Sequence, residues 1–157
     1  MDLFLILLYL HVLGAIVAFG PGFVAMVVGP MVAKEPQHAN FYARTQVAAG
    51  RKLITPVAIS MALTGIVMIV YRGWGNIVAD RHWLEVGILL YVVAVVVAMA
   101  VQAPAGRRLV ELTAQPPAPG TPPNPAIPAT AKRLRQGGTA LVVLTIAIAF
   151  LMVTKPF

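Results

Sequence analysis

Four long apolar runs divide the chain. They cover residues 3–33, 53–71, 83–101 and 138–154, and the first contains no Asp, Glu, Lys or Arg. A helix needs about 20 apolar residues to cross a hydrocarbon core of roughly 30 Å, so each run predicts a membrane span. The predicted fold is all-α, a polytopic four-helix transmembrane bundle forming a single domain over residues 1–157. A cleaved signal peptide is not expected, because Asp2 stands where a basic segment should precede the run and the run continues well beyond a signal's apolar core.

Proline and glycine punctuate this pattern. Gly20-Pro21-Gly22 lies inside the first run, where a proline removes one helical hydrogen bond, and predicts a bend. Residues 36–49 read as a short interfacial helix in the first connection. The second connection is brief, about residues 72–82. The third, residues 103–136, contains Pro116, Pro117, Pro119, Pro122, Pro123, Pro125 and Pro128 within residues 115–128. That density forbids a helix and favours an extended tether.

Charge then orients the spans. Lys34, Arg44, Arg51 and Lys52 fall in the first connection, and Arg107, Arg108, Lys132, Arg133 and Arg135 in the third. Only Arg72, Arg81 and Lys155 fall on the opposite side. Basic residues mark the cytoplasmic side, so connections one and three are expected inside and both termini outside, in a multi-pass protein of the inner (cytoplasmic) membrane. Trp74 and Trp83 flank the short outer loop as expected of interfacial anchors. The net charge of +7 does not point to nucleic acid, because the basic residues lie between apolar runs rather than in one stripe interleaved with aromatics. Membrane lipids are the expected partners, with a homo-oligomer or a larger membrane complex as the setting.

Few residues carry chemistry. The absence of cysteine excludes disulfides, thiolate metal sites and thiol catalysis. No phosphate-binding glycine loop, HExxH or Ser-His-Asp ordering occurs, which disfavours nucleotide and hydrolytic chemistry. His11 lies roughly 12 Å into the first span, where an ionisable side chain needs a partner or a purpose. With Gly14, Ala18 and Gly22 it shares a helix face of small residues. Such a face accepts either the edge of a planar tetrapyrrole, with the imidazole as axial iron ligand, or another helix, with the imidazole hydrogen-bonded across the interface. Both readings stand at this point.

Counting inward from the outer ends places Thr64, Tyr91 and Thr145 level with His11 as a candidate polar layer. Met61 and Met68 are the candidate sulfur ligands, whereas His38 and His82 fall in connections. Glu85 follows Arg81 by four residues, the spacing of an intrahelical ion pair. Arg107 and Arg108 read as a stop signal with phospholipid contacts.

Several segments together resemble a known family. Leu10-His11-Val12-Leu13-Gly14, Arg51-Lys52-Leu53-Ile54-Thr55-Pro56, Leu63-Thr64-Gly65, Trp83-Leu84 and residues 104–109 are similar to a family of bacterial predicted integral membrane proteins of unknown function. That family looks related to the copper-resistance D-type proteins and the HemJ-type protoporphyrinogen oxidases. The resemblance implies a four-helix fold with His11 as a ligand to b-type haem, and its copper branch implies metal transport. In the HemJ-type pattern a lysine needed for activity follows the tryptophan of the third span, and the matching place here is Gly87. The departure argues against oxidase activity, so no reaction is assigned from the sequence.

Overall fold

The computed structural model describes residues 2–73, 82–115 and 124–156. Almost all of them lie in four long helices: α1, Leu3–Lys34; α2, Pro36–Tyr71; α3, His82–Leu112; and α4, Ala126–Thr154. No strand occurs among the described residues. Each helix contains a stretch long and apolar enough to cross a membrane, so the chain is an integral membrane protein with four spans.

Local chemistry sets the helix ends. Asp2 caps α1, its carboxylate accepting from the Phe4 amide at 3.1 Å. Between α1 and α2 the chain turns at Glu35, and Pro36 starts the next helix at a position where its missing N–H costs nothing. At the far end of α2, Gly73 takes a φ of +86°, the left-handed conformation that lets the chain leave a helix, and its amide bonds back to the Val70 carbonyl.

The helices close into a ring. The C-terminal part of α2, residues 55–71, packs along α1, α1 packs on α4, and α4 packs on α3. The Tyr91 hydroxyl donates to the Ala58 carbonyl at 2.7 Å and joins α3 to α2. Small residues dominate the interior: Ala18, Ala43, Ala94 and Ala105 are buried, as are Gly87, Gly106 and Gly137. Lipid tails are as apolar as leucine, so helices associate through close backbone approach rather than hydrophobic exclusion. A larger cluster of Trp83, Leu84 and Leu151, flanked by Ile69, Leu90 and Met152, fills the space between the start of α3 and the end of α4. Trp83 is thus a packed core residue with the Lys155 ammonium 5.7 Å over its ring, not the interfacial anchor expected of it. Trp74 lies outside the described residues.

Two prolines shape the long helices. Pro56 and Pro104 each follow a turn of wider π geometry, Gly50–Ile54 in α2 and Ala98–Gln102 in α3. A proline ring clashes with the carbonyl four residues earlier, and widening the preceding turn relieves the clash. The Thr55 hydroxyl donates to the Gly50 carbonyl at 2.8 Å, supplying a side-chain bond inside the widened turn.

Beyond these turns the helices run on past the bilayer. The 36 residues of α2 span about 54 Å, against a core of roughly 30 Å. Residues 36–49 therefore do not form a separate interfacial helix but continue into the span. They pack against residues 103–112, the end of α3, where Asn40 Nδ2 donates to the Val110 carbonyl at 3.0 Å and to Thr113 Oγ1 at 3.2 Å. The third connection is likewise shorter than the expected 103–136, because α3 extends to Leu112 and α4 starts at Ala126. Pro128 sits within the first turn of α4, where helix amides have no internal partner and a proline is tolerated. Pro116, Pro117, Pro119, Pro122 and Pro123 lie outside the described residues. α1 remains one helix through both Pro21 and Pro30.

The α1–α2 seam makes a specific prediction. A Cβ at Gly14 would lie 2.6 Å from Met61 Cγ, the middle of a buried side chain, while one at Gly20 meets nothing within 4 Å. Gly14→Ala should lower unfolding stability in detergent by about 1–3 kcal/mol through overpacking. Gly20→Ala should leave stability unchanged or raise it by up to ~1 kcal/mol. Thermal denaturation followed by circular dichroism checks the pair, and equal behaviour of the two variants would show that the seam is loosely packed.

Candidate functional site

His11 comes from the middle of the N-terminal half of α1 and points at α2. Its ring Nδ1 lies 2.9 Å from the Met61 carbonyl oxygen and 3.1 Å from Thr64 Oγ1. A carbonyl can only accept, so Nδ1 carries the proton and donates. The Thr64 hydroxyl itself donates back along its own helix, 3.0 Å from both the Ser60 and Met61 carbonyls, and shares the His11 proton through its remaining lone pair. The imidazole is therefore fixed by α2 in one tautomer. In the uncharged ring Nε2 then holds the free lone pair.

Two glycines allow this approach. A Cβ on Gly65 would sit 3.3 Å from His11 Cε1, so the ring lies against the α2 backbone at that point. One turn along α1, Gly14 admits the Met61 side chain. The sequence placed Thr64 with His11, and the structure joins them. Gly65, present only as part of the Leu63-Thr64-Gly65 segment, is what brings the two helices within reach.

The remaining candidates are dispersed. Tyr91 bonds to Ala58, one turn from Met61, and reaches α2 rather than the imidazole. Thr145 is on the other side of α1, in a shallow apolar groove of about 380 Å³ between α1 and α4 with Ala15, Phe19 and Ala149. Equal depth is a statement about the helix axis only, and the rotation of α4 turns Thr145 away. Gly22 faces Val142 of α4, and Ala18 is buried. The small-residue face of α1 is thus covered by α2 at His11 and Gly14 and by α4 at Gly22.

Met61 is buried with its side chain over Gly14, and among the described residues no group of three His, Asp or Glu side chains is placed to hold a metal ion. Glu85 pairs with His82 at 3.2 Å at the exposed start of α3, and the expected partner Arg81 lies outside the described residues. His38 is exposed and pairs with Glu35 at 3.5 Å. Gly87 is buried, with Met152 Cε 2.6 Å from where its Cβ would be, so packing against α4 occupies the space that a longer side chain would take.

Sequence reasoning missed two polar ties at the end of the bundle away from the termini. Asn40 joins α2 to α3, and Gln102 Nε2 donates to the Leu134 carbonyl at 3.1 Å, joining α3 to α4. Gln102 stands at the margin of an apolar run, two residues before Pro104, and that position is its signal; Asn40 lies within the first connection and carries none.

No curated protein and no solved structure matches the chain. The comparisons give no support to a likeness with the copper-resistance D-type or HemJ-type proteins. A family model described as "Predicted integral membrane protein (DUF2269)" matches residues 5–156, nearly the whole chain, and the protein belongs to that family.

Proposed function

We propose that the protein is a non-enzymatic membrane bundle, acting as a homo-oligomer or as an accessory subunit of a larger complex of the inner membrane, with both termini outside. The observation that carries this reading is the bond from His11 Nδ1 to the Met61 carbonyl. The one ionisable side chain deep in α1 is spent on joining two helices, on a face that helices already cover. Within the bundle the residues do not fit a haem plane, since Gly14 and Gly22 meet α2 and α4 side chains. The groove between α1 and α4 is apolar, and His11 is not among the residues that line it.

A second reading has one observation in its favour. A histidine whose Nδ1–H is held by a backbone carbonyl presents Nε2 as a base, the arrangement that orients imidazole toward a metal. Nε2 has no partner among the described residues and is not sealed inside the bundle. A b-type haem approaching from outside the chain, for instance at a contact between copies, would meet that nitrogen.

Absorption spectroscopy separates the two readings. The purified protein should be colourless, and His11→Ala should lose about 0.6–1.7 kcal/mol of stability, the range of interhelical hydrogen bonds in membranes. A Soret band that disappears in His11→Ala would overturn the first reading in favour of the second. Orientation is tested separately, because the chain has no cysteine of its own. Thr154→Cys should react with an impermeant maleimide on intact cells, and Gln115→Cys only after permeabilisation. The reverse pattern would invert the topology.

A further inference from the structure

We infer that the basic end of the bundle holds an anionic phospholipid, its phosphate on Arg44, Arg51 and Lys52 of α2 and its chains on the neighbouring apolar flank of α1. Two features of different kind meet there. The first is unpaired positive charge: all three side chains are exposed, and among the described residues no carboxylate lies within 4.0 Å of any of them. The widened turn Gly50–Ile54, which carries Arg51 and Lys52, packs against α1.

The second feature is an apolar surface of α1 that continues alongside the charged stretch of α2. Counting antiparallel from Gly14 opposite Met61 puts Phe23 about level with Lys52 and Met31 about level with Arg44, a stretch of roughly 12 Å. Over that stretch Phe23, Val27 and Met31 are all exposed, with Val27 at 65%. α2 at the same levels is charged.

A soluble polyanion would satisfy the charges and leave the α1 flank in water. A second copy of the chain, basic at the same end, would cover the flank and repel the charges. A lipid with a phosphate and acyl chains satisfies both. This inference depends neither on the role of His11 nor on which compartment the basic end faces.

The test uses the full chain in non-ionic detergent, washed free of lipid. Added phosphatidylglycerol should raise the melting temperature, and phosphatidylcholine of the same chains should not. The triple variant Arg44→Gln, Arg51→Gln, Lys52→Gln should lose the phosphatidylglycerol increment, with apparent affinity falling about five-fold for each charge removed. Lys155→Gln, at the opposite end, should keep it.

If the triple variant fails to fold, the wild-type protein still decides the matter. At ~1 M salt, where screening acts within about 3 Å, the increment should largely vanish. Equal stabilisation by phosphatidylcholine, an increment indifferent to salt, or full retention in a folded triple variant would each overturn the proposal. So would a stable dimer carrying no lipid phosphorus.

Discussion

The closeness of α1 and α2 is the constraint on which the half of the bundle around His11 depends. Gly14 and Gly65 each leave out the one carbon that would hold the helices apart, one against Met61 and the other against the His11 ring. With those carbons absent the imidazole reaches a main-chain carbonyl directly. In lipid an unpaired imidazole N–H would be costly, so the hydrogen bond and the close packing each make the other necessary. Position alone does not make the histidine a ligand. Its partner is the backbone of the adjacent helix, and any further role would use the nitrogen on the other side of the ring.

Most of the architecture was legible because membrane helices obey a simple rule of length and polarity. Residues 53–71 and 83–101 were recognised as spans from their apolar character, and they lie within α2 and α3. What the rule does not show is where a helix stops once it has left the apolar layer. Residues 36–49 read as a short helix of their own and 103–112 as part of a connection, yet both continue the spans because Ala43, Ala105 and Gly106 let them pack on each other. The proline count likewise suggested a tether as far as Pro128. A proline in the first turn is compatible with a helix, and composition carries no information on position.

At the site, the pairing of His11 with Thr64 could be read from depth because both lie on helices that pack together along this stretch. Thr145 could not, since depth fixes height along a helix and leaves rotation free. Rotation is set by which small residues meet, and Gly22 against Val142 turns α4 so that Thr145 faces the α1–α4 groove. Trp83 was misread for a related reason. Its place at the start of a span suits an anchor at the lipid surface, but the cluster with Leu84 and Leu151 draws it inward.

The two widened turns have a consequence for how the helices choose neighbours. A π turn accommodates one residue more than an α turn, so the helix faces on its two sides are offset by about 100° relative to an unbroken helix. In α2 residues 55–71 pack along α1, whereas residues 39–49 pack mainly along the end of α3. One continuous rod thus serves two different partnerships, with the change made at Gly50–Ile54. The protein is in effect two short bundles stacked end to end: at Pro56 one pairing of α2 gives way to another, while past Pro104 α3 keeps α4 and gains α2 as a neighbour.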